Sequence, residues 1–111
     1  MKNKNYAIRV INRDCKTCDM YRDEQGNTCA IGALAEAAGV RVPKYGFIGN
    51  KGVSIGMPVS SRWVIKAGEA IAKKFGLDLE QQQEIQNLND SSDNHTPRLR
   101  RRAIVQYLKT L

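Results

Sequence analysis

The sequence predicts one α-dominated α+β domain of about four helices, with a short N-terminal strand or small hairpin. Two observations support this prediction. Apolar residues recur at helical spacing in four segments, and each of these segments begins near a Ser, Thr or Asp that commonly caps a helix. The 111 residues and the hydrophobic fraction of 41% suit a single domain, residues 1–111, with one core.

The predicted strand covers residues 6–11, Tyr-Ala-Ile-Arg-Val-Ile, because this stretch is rich in β-branched side chains and partly alternates between apolar and polar. A tight turn is predicted at 22–27. Residues 40–59 contain Gly and Pro and predict a loop, with a loose hairpin over 45–55.

The first two predicted helices lie on either side of this loop. One runs from Thr28, as N-cap, to Ala38, and its apolar stripe consists of Ile31, Leu34, Ala35 and Ala38. The other begins at Ser60 or Ser61 and ends near Phe75, with an inner face formed by Trp63, Ala67, Ala70, Ile71 and Phe75.

The third predicted helix is capped by Asp78 and ends at Leu88, with Leu79, Ile85 and Leu88 facing inward. The fourth has Thr96 at its N-cap and Pro97 at its first position, and it runs nearly to Leu111. Its apolar side consists of Leu99, Ala103, Ile104, Tyr107, Leu108 and Leu111.

Arg100 falls on the apolar side of this last helix. A buried arginine without a partner is strongly unfavourable, so we expect it to pair with a carboxylate. Asp90 is the first candidate and Asp93 the second.

Two short motifs resemble a family of small uncharacterised proteins from phages and bacterial genomes. Residues 21–34 form a Tyr-Arg-Asp turn followed by Cys-Ala-Ile-Gly-Ala-Leu at a helix start, and Asn89-Asp90 precede a short final helix. The resemblance covers about residues 14–38 and 84–108. This chain departs from the family at Leu88, where members often have tryptophan, and in lacking a longer insertion before the cysteine. The resemblance implies a phage or bacterial origin and no particular activity.

Cys29 has two interpretations. At a helix N-terminus it can form a thiolate, which His95 could assist as a base, with Asn89, Asp90 or Asn94 orienting the imidazole. The alternative, which we favour, is a small buried residue that lets two helices approach each other. We therefore expect no catalytic residues, and Cys29, His95 and Asp90 are candidates only if the protein is an enzyme.

A second hypothesis is a zinc site built from Cys15, Cys18, Cys29 and His95. The Cys-x-x-Cys spacing suits a zinc knuckle, but no second close ligand pair follows it and Cys29 belongs to an apolar helix. A redox role for the Cys15 and Cys18 pair is weaker, because the pair lies in a polar segment. We expect no metal and no cofactor.

The net charge of +7 favours an acidic protein surface or a nucleic acid as partner. The densest basic run is residues 98–102, near the start of a helix, where the macrodipole disfavours positive charge. A partner would offset that cost, whereas a solvated helix face is the alternative interpretation. The expected partner-binding residues, all exposed, are Arg98, Arg101, Arg102 and Lys109, continuous with Lys73 or Lys74 if the second helix packs nearby.

These observations predict a small, non-enzymatic accessory protein, phage-type or bacterial, that binds a macromolecule through a basic helix face. Inhibition or modulation of a host system is one form of this function. The alternatives are a nucleic-acid-binding protein that places the arginine run on phosphates, and a Cys-His-dependent enzyme. The sequence has no apolar run of about 18 residues, so it predicts no membrane-spanning helix. The three cysteines, an odd number, and the absence of a signal-peptide pattern predict a cytoplasmic location.

Overall fold

The computed structural model describes residues 1–16, 25–42 and 61–111. This part of the chain contains five α-helices and one 3-10 turn: α1 (Lys4–Asp14), α2 (Ala30–Ala37), α3 (Ser61–Phe75), α4 (Leu79–Asp90), the turn Ser92–Asn94 and α5 (Pro97–Lys109). The α-dominated class is confirmed, but the count of four helices is wrong. The hairpin expected over 45–55 and residues 22–24 of the turn expected at 22–27 lie outside the described residues.

The N-terminal strand prediction is wrong, because residues 6–11 belong to α1. Ala7, Val10 and Ile11 are fully buried, and their spacing places them on one side of a helix. Packing of this side against α2 and α5 outweighs the modest helix propensity of the β-branched residues. Within the described ranges no strand forms, and the extended backbone makes only an isolated parallel bridge between Cys15 and Thr28.

The helix α2 lies at the centre of the molecule and contacts α1, α3 and α4. Its small residues Ala30 and Ala33 are buried, which allows these neighbours to approach closely. Its N-cap is Cys29 rather than the predicted Thr28. The Thr28 hydroxyl instead donates to the Asp14 carbonyl at 2.9 Å and ties the start of α2 to the end of α1.

The helices α3 and α4 follow the predicted boundaries closely. Gly76 ends α3 with a φ of +65°, and Asp78 caps α4 in a reciprocal arrangement with Gln81. The inward position predicted for Leu79 is wrong, because its side chain is 76% exposed in the first turn of α4. Gln82 is buried instead, and its amide donates to the carbonyls of Gly68 and Leu77.

The start of α5 is as predicted, with Thr96 as N-cap and Pro97 in the first turn. Ile104 and Leu108 are fully buried against α1 and α4. Leu99, expected on the apolar side, is 37% exposed. None of the five helices in the described part is long and apolar enough to cross a lipid bilayer.

Candidate functional site

The excess positive charge of the protein belongs to two helices and the residues next to them. Residues 1–16 carry five Lys or Arg and one Asp, and residues 96–111 carry five Lys or Arg and no acidic residue. The rest of the chain carries eight basic and ten acidic residues. The helices concerned, α1 and α5, pack against each other, so the fold brings these two basic segments together.

The α5 part of this surface contains the residues predicted from the sequence. Arg98, Arg102 and Lys109 are exposed, and at 3.6 residues per turn they share an arc of about 100° with Arg101. They extend over about 16 Å of helix. Tyr107 lies on the side that faces α4, where burial and the nearby carboxylates of Glu84 and Asp78 raise its pKa.

The expectation that all four predicted binding residues are exposed is wrong for Arg101. It is half-buried, and its Nη1 donates to the Cys15 carbonyl at 3.2 Å. This contact joins the first turns of α5 to the end of α1. Arg101 therefore lies at the boundary between the two helices and helps to hold them together.

The α1 part of the surface was missed by sequence reasoning, because a strand over residues 6–11 would distribute its side chains differently. On the helix, the side opposite the core carries only polar and basic residues: Lys2, Asn5, Arg9, Asn12, Arg13 and Lys16. Arg13 pairs with Asp14 at 2.8 Å on the surface. The basic face is defined here as Arg9, Arg13 and Lys16 of α1 and its flank, together with Arg98, Arg102 and Lys109 of α5.

Lys73 and Lys74 do not adjoin the arginine run. Their carbonyl groups accept from Lys2 Nζ at 3.4 Å and Asn3 Nδ2 at 2.8 Å, so the end of α3 lies beside the start of α1. The arginine run contacts the opposite end of α1, about 18 Å away along the helix axis. Lys74 instead extends the α1 side, where its Nζ lies 5.7 Å from the centroid of the Tyr6 ring.

Arg100 is 4% exposed, as its place on the apolar side predicted, but its partner is not a carboxylate. Its Nε donates to the main-chain carbonyl of Asn89 at 3.1 Å. Among the described residues no ion pair joins Arg100 to Asp90 or Asp93. The last carbonyl groups of a helix lack partners within that helix, and Arg100 satisfies one of them at the end of α4.

Asn89 is the polar centre of the core, a role that neither its place in the Asn-Asp motif nor its proposed orientation of His95 predicted. It is 1% exposed, and its Oδ1 accepts from the Ala30 amide at 3.0 Å and from Cys15 Sγ at 3.5 Å. Its Nδ2 donates to Asp90 Oδ1 at 3.1 Å. Asn89 thus joins the end of α4 to the start of α2 and the end of α1, and it brings together the two motifs on which the family resemblance rests.

Cys29 is fully buried, as predicted, and its Sγ accepts from the Gly32 amide at 3.4 Å. Burial raises the pKa of this thiol to about 12, so it stays protonated at neutral pH. His95 is exposed. In the described part of the chain, no hydrogen bond joins it to Asn89, Asp90 or Asn94, whose side chains bond elsewhere. The geometry therefore gives no support to a Cys-His nucleophile.

The zinc hypothesis depends in part on Cys18, which lies outside the described residues. Residues 1–16, 25–42 and 61–111 contain no group of three His, Cys, Asp or Glu that could hold a metal ion. Cys15, a second proposed ligand, is buried and directs its thiol to Asn89.

One hollow lies away from the basic face, and another adjoins it at Lys16. An apolar groove of about 320 Å³ separates α3 from α4 and is lined by Trp63, Val64, Leu79 and neighbouring residues. A polar hollow of about 220 Å³ lies beside the turn that precedes α2, between Asp14 and Glu36.

Comparison of the chain with protein-family models, with curated proteins and with solved structures finds no match. The features of the molecule that bear on function are therefore its own geometry and charge.

Proposed function

We propose that this protein is a small, non-enzymatic accessory protein, phage-type or bacterial, that binds a polyanionic macromolecule through the basic face. Inhibition or modulation of a host system is the form of action that we propose for it. The observation that carries the proposal is the charge asymmetry: α1 and α5 with their flanking residues hold ten basic residues and one acidic residue, whereas the rest of the chain has a small acidic excess.

The cost of this arrangement supports a binding role. Like charges on adjacent helices repel each other, and the three arginines at 98, 101 and 102 lie in the first half of α5, where the helix dipole also opposes them. Among the described residues, only Asp14 provides an ion pair on this surface, and it neutralises Arg13 alone. A polyanionic partner would offset both the repulsion between the cations and the unfavourable effect of the helix dipole on the arginines. Its long-range attraction would also speed association.

The alternative of a cysteine-dependent enzyme has no comparable support. Its nucleophile would be a fully buried thiol with a pKa of about 12. Such a thiol supplies almost no thiolate at neutral pH.

The test compares two matched triple variants for retention of native partners in cells of the natural host. One variant carries Arg98→Glu, Arg102→Glu and Lys109→Glu on the basic face. The control carries Arg41→Glu, Arg62→Glu and Lys66→Glu, which are exposed and lie outside that face. The change in net charge is the same in both, and circular dichroism checks that both remain folded. We expect loss of the partner only in the first variant, and equal retention by both would contradict the proposal.

A further inference from the structure

We infer that the partner of the basic face is the sugar–phosphate backbone of a double-stranded nucleic acid, bound without recognition of base sequence. This inference rests on the proposed function and narrows its partner. Four properties of the face lead to it: its composition, its scarcity of acidic groups, its lack of aromatic rings and its width.

The composition of the face resembles a phosphate-binding surface more than a protein-binding one. Specific protein–protein interfaces have an apolar centre with aromatic or aliphatic anchors. The large apolar side chains that the described residues expose are Val64, Ile65, Leu79 and Leu99, and three of these belong to α3 and α4. Besides its cations the basic face has the half-buried Val105 and, among or beside the cations, Asn5, Asn12 and Gln106, which are types that donate to phosphate oxygens.

The second property is the scarcity of acidic groups that would repel phosphates, since only Asp14 and, beside Lys16, Glu36 adjoin the face among the described residues. On α1 the sole carboxylate is Asp14, held by Arg13 at 2.8 Å, and α5 has none. An acidic protein would bring its own lysines and arginines into contact with this surface, which has almost nothing to pair with them. A phosphodiester backbone presents only negative charge, so it matches the face along its whole length.

The third property favours a duplex over a single strand. Proteins that bind single strands stack bases on exposed aromatic rings. The Tyr6 ring packs on Phe75 with centroids 6.0 Å apart, and Arg9 and Lys74 each lie 5.7 Å from its centroid. Tyr107 lies on the α4 side of α5, and Trp63 belongs to α3. The described part of the basic face therefore offers no free ring for stacking.

The width of the face argues against base recognition. Two helices packed side by side span about 20 Å, whereas the major groove of B-DNA is about 12 Å wide. The pair cannot enter the groove as a single recognition helix does. The helix pair can lie across the phosphate ridges instead. The cations of α5 extend over about 16 Å, and this length of duplex carries about nine phosphate charges at one charge per roughly 1.7 Å of axis.

The experiment measures binding by fluorescence anisotropy over a range of salt concentrations. The probes are a 20-base-pair DNA duplex, a 20-base-pair RNA duplex, a thymidine 20-mer and poly-glutamate. If the six cations of the basic face each contact a phosphate of B-DNA, log Kobs should fall against log salt with a slope of about −5. Affinity for the duplex should then drop about 10³-fold between 50 and 200 mM salt. Comparing the affinities for the DNA duplex and the RNA duplex shows which of the two nucleic acids supplies the phosphate backbone that the face prefers.

A charge-removing triple variant, Arg98→Gln, Arg102→Gln and Lys109→Gln, should make the DNA slope shallower by about 2.7, from the loss of three contacts. The control Arg41→Gln, Arg62→Gln and Lys66→Gln should retain the full slope. Shuffling the base sequence of the duplex should leave affinity within about 3-fold, because each specific base contact would contribute about 1–3 kcal/mol.

Tighter binding to the thymidine 20-mer or to poly-glutamate than to either duplex would overturn the inference, as would an unchanged slope in the basic-face variant. The failures of the two proposals are distinguishable. If neither duplex binds but the glutamate variant still loses its partner in the native host, the duplex inference fails and the proposed function stands. If the glutamate variant keeps its partner, the proposed function fails.

Discussion

Asn89 offers the sharpest test of how the fold is held together, and the informative change is Asn89→Leu. Leucine has as many side-chain heavy atoms as asparagine but a larger volume, so the change removes polar atoms without leaving a cavity, and the lost hydrogen bonds set the lower limit of its cost. It leaves the Ala30 amide and the Cys15 thiol without their shared acceptor. The main-chain bond from Arg100 to the Asn89 carbonyl does not depend on the side chain and should persist.

The expected cost follows from the donors left behind. A buried donor that loses its acceptor costs about 1–3 kcal/mol, and a thiol, as a weak donor, costs at the low end of that range. Asn89→Leu should therefore destabilise the protein by about 2–4 kcal/mol. For a domain of this size, each kcal/mol shifts the melting temperature by about 4 °C, so we expect a fall of about 8–16 °C.

The assay combines urea unfolding with amide hydrogen exchange, and the control is Asn87→Ala on the same helix. Asn87 is exposed and only accepts from Gln83 at 3.0 Å, so its loss should change stability by less than about 0.5 kcal/mol. In the Asn89 variant the Ala30 amide should lose more exchange protection than the other amides of α2. Equal stability of the two variants would refute the assignment of Asn89 as the link between these helices.

Three further predictions concern other features of the described residues. The Cys29 thiol, with a pKa of about 12 in the folded protein, should stay protonated while the unfolded thiol ionises near pH 9. Stability should fall by about 1.4 kcal/mol per pH unit from pH 9 towards 12, and a Cys29→Ala variant should lack this component in denaturant titrations. Arg100→Ala should melt at a lower temperature than Arg102→Ala, because only Arg100 is buried and bonded to Asn89, and equal melting temperatures would remove the distinction. Gly76→Ala should destabilise more than Gly39→Ala in urea; both have positive φ, but only at Gly76 would a Cβ lie 3.2 Å from the Lys2 nitrogen.

The later helices could be predicted from the sequence because their boundaries depend on local signals. Asp78 and Thr96 cap α4 and α5 as their side chains indicated. Gly76 ends α3 for the same kind of reason, since its positive φ suits glycine. These signals act within a few residues and need no knowledge of the neighbouring helices.

The helical conformation of α1 could not be predicted from residue propensity alone. Its β-branched residues favour a strand, and only the 7, 10, 11 spacing of its buried positions indicates a helix. Leu79 lines the open groove between α3 and α4 and stays exposed, whereas Gln82 donates to the Gly68 carbonyl and is buried. Each error comes from packing between distant segments, which a local pattern does not encode.

The candidate site was predicted in part for the same reason. The basic residues of α5 form a continuous run, so Arg98, Arg102 and Lys109 could be chosen directly. Those of α1 are dispersed and become one surface only when residues 4–14 are helical and packed on α5. The carboxylate partner expected for Arg100 was wrong because a main-chain carbonyl at a helix end is an acceptor that no sequence motif marks.

A titration followed by nuclear magnetic resonance tests most directly whether α1 and α5 together form one binding surface. A 20-base-pair DNA duplex is added to ¹⁵N-labelled protein, and the amide shifts are mapped onto the five helices. We predict that the largest changes fall on α1 and α5 near Arg9, Arg13, Arg98 and Arg102, and that α3 changes little. Changes centred on the groove between α3 and α4, or confined to α5 alone, would contradict the claim.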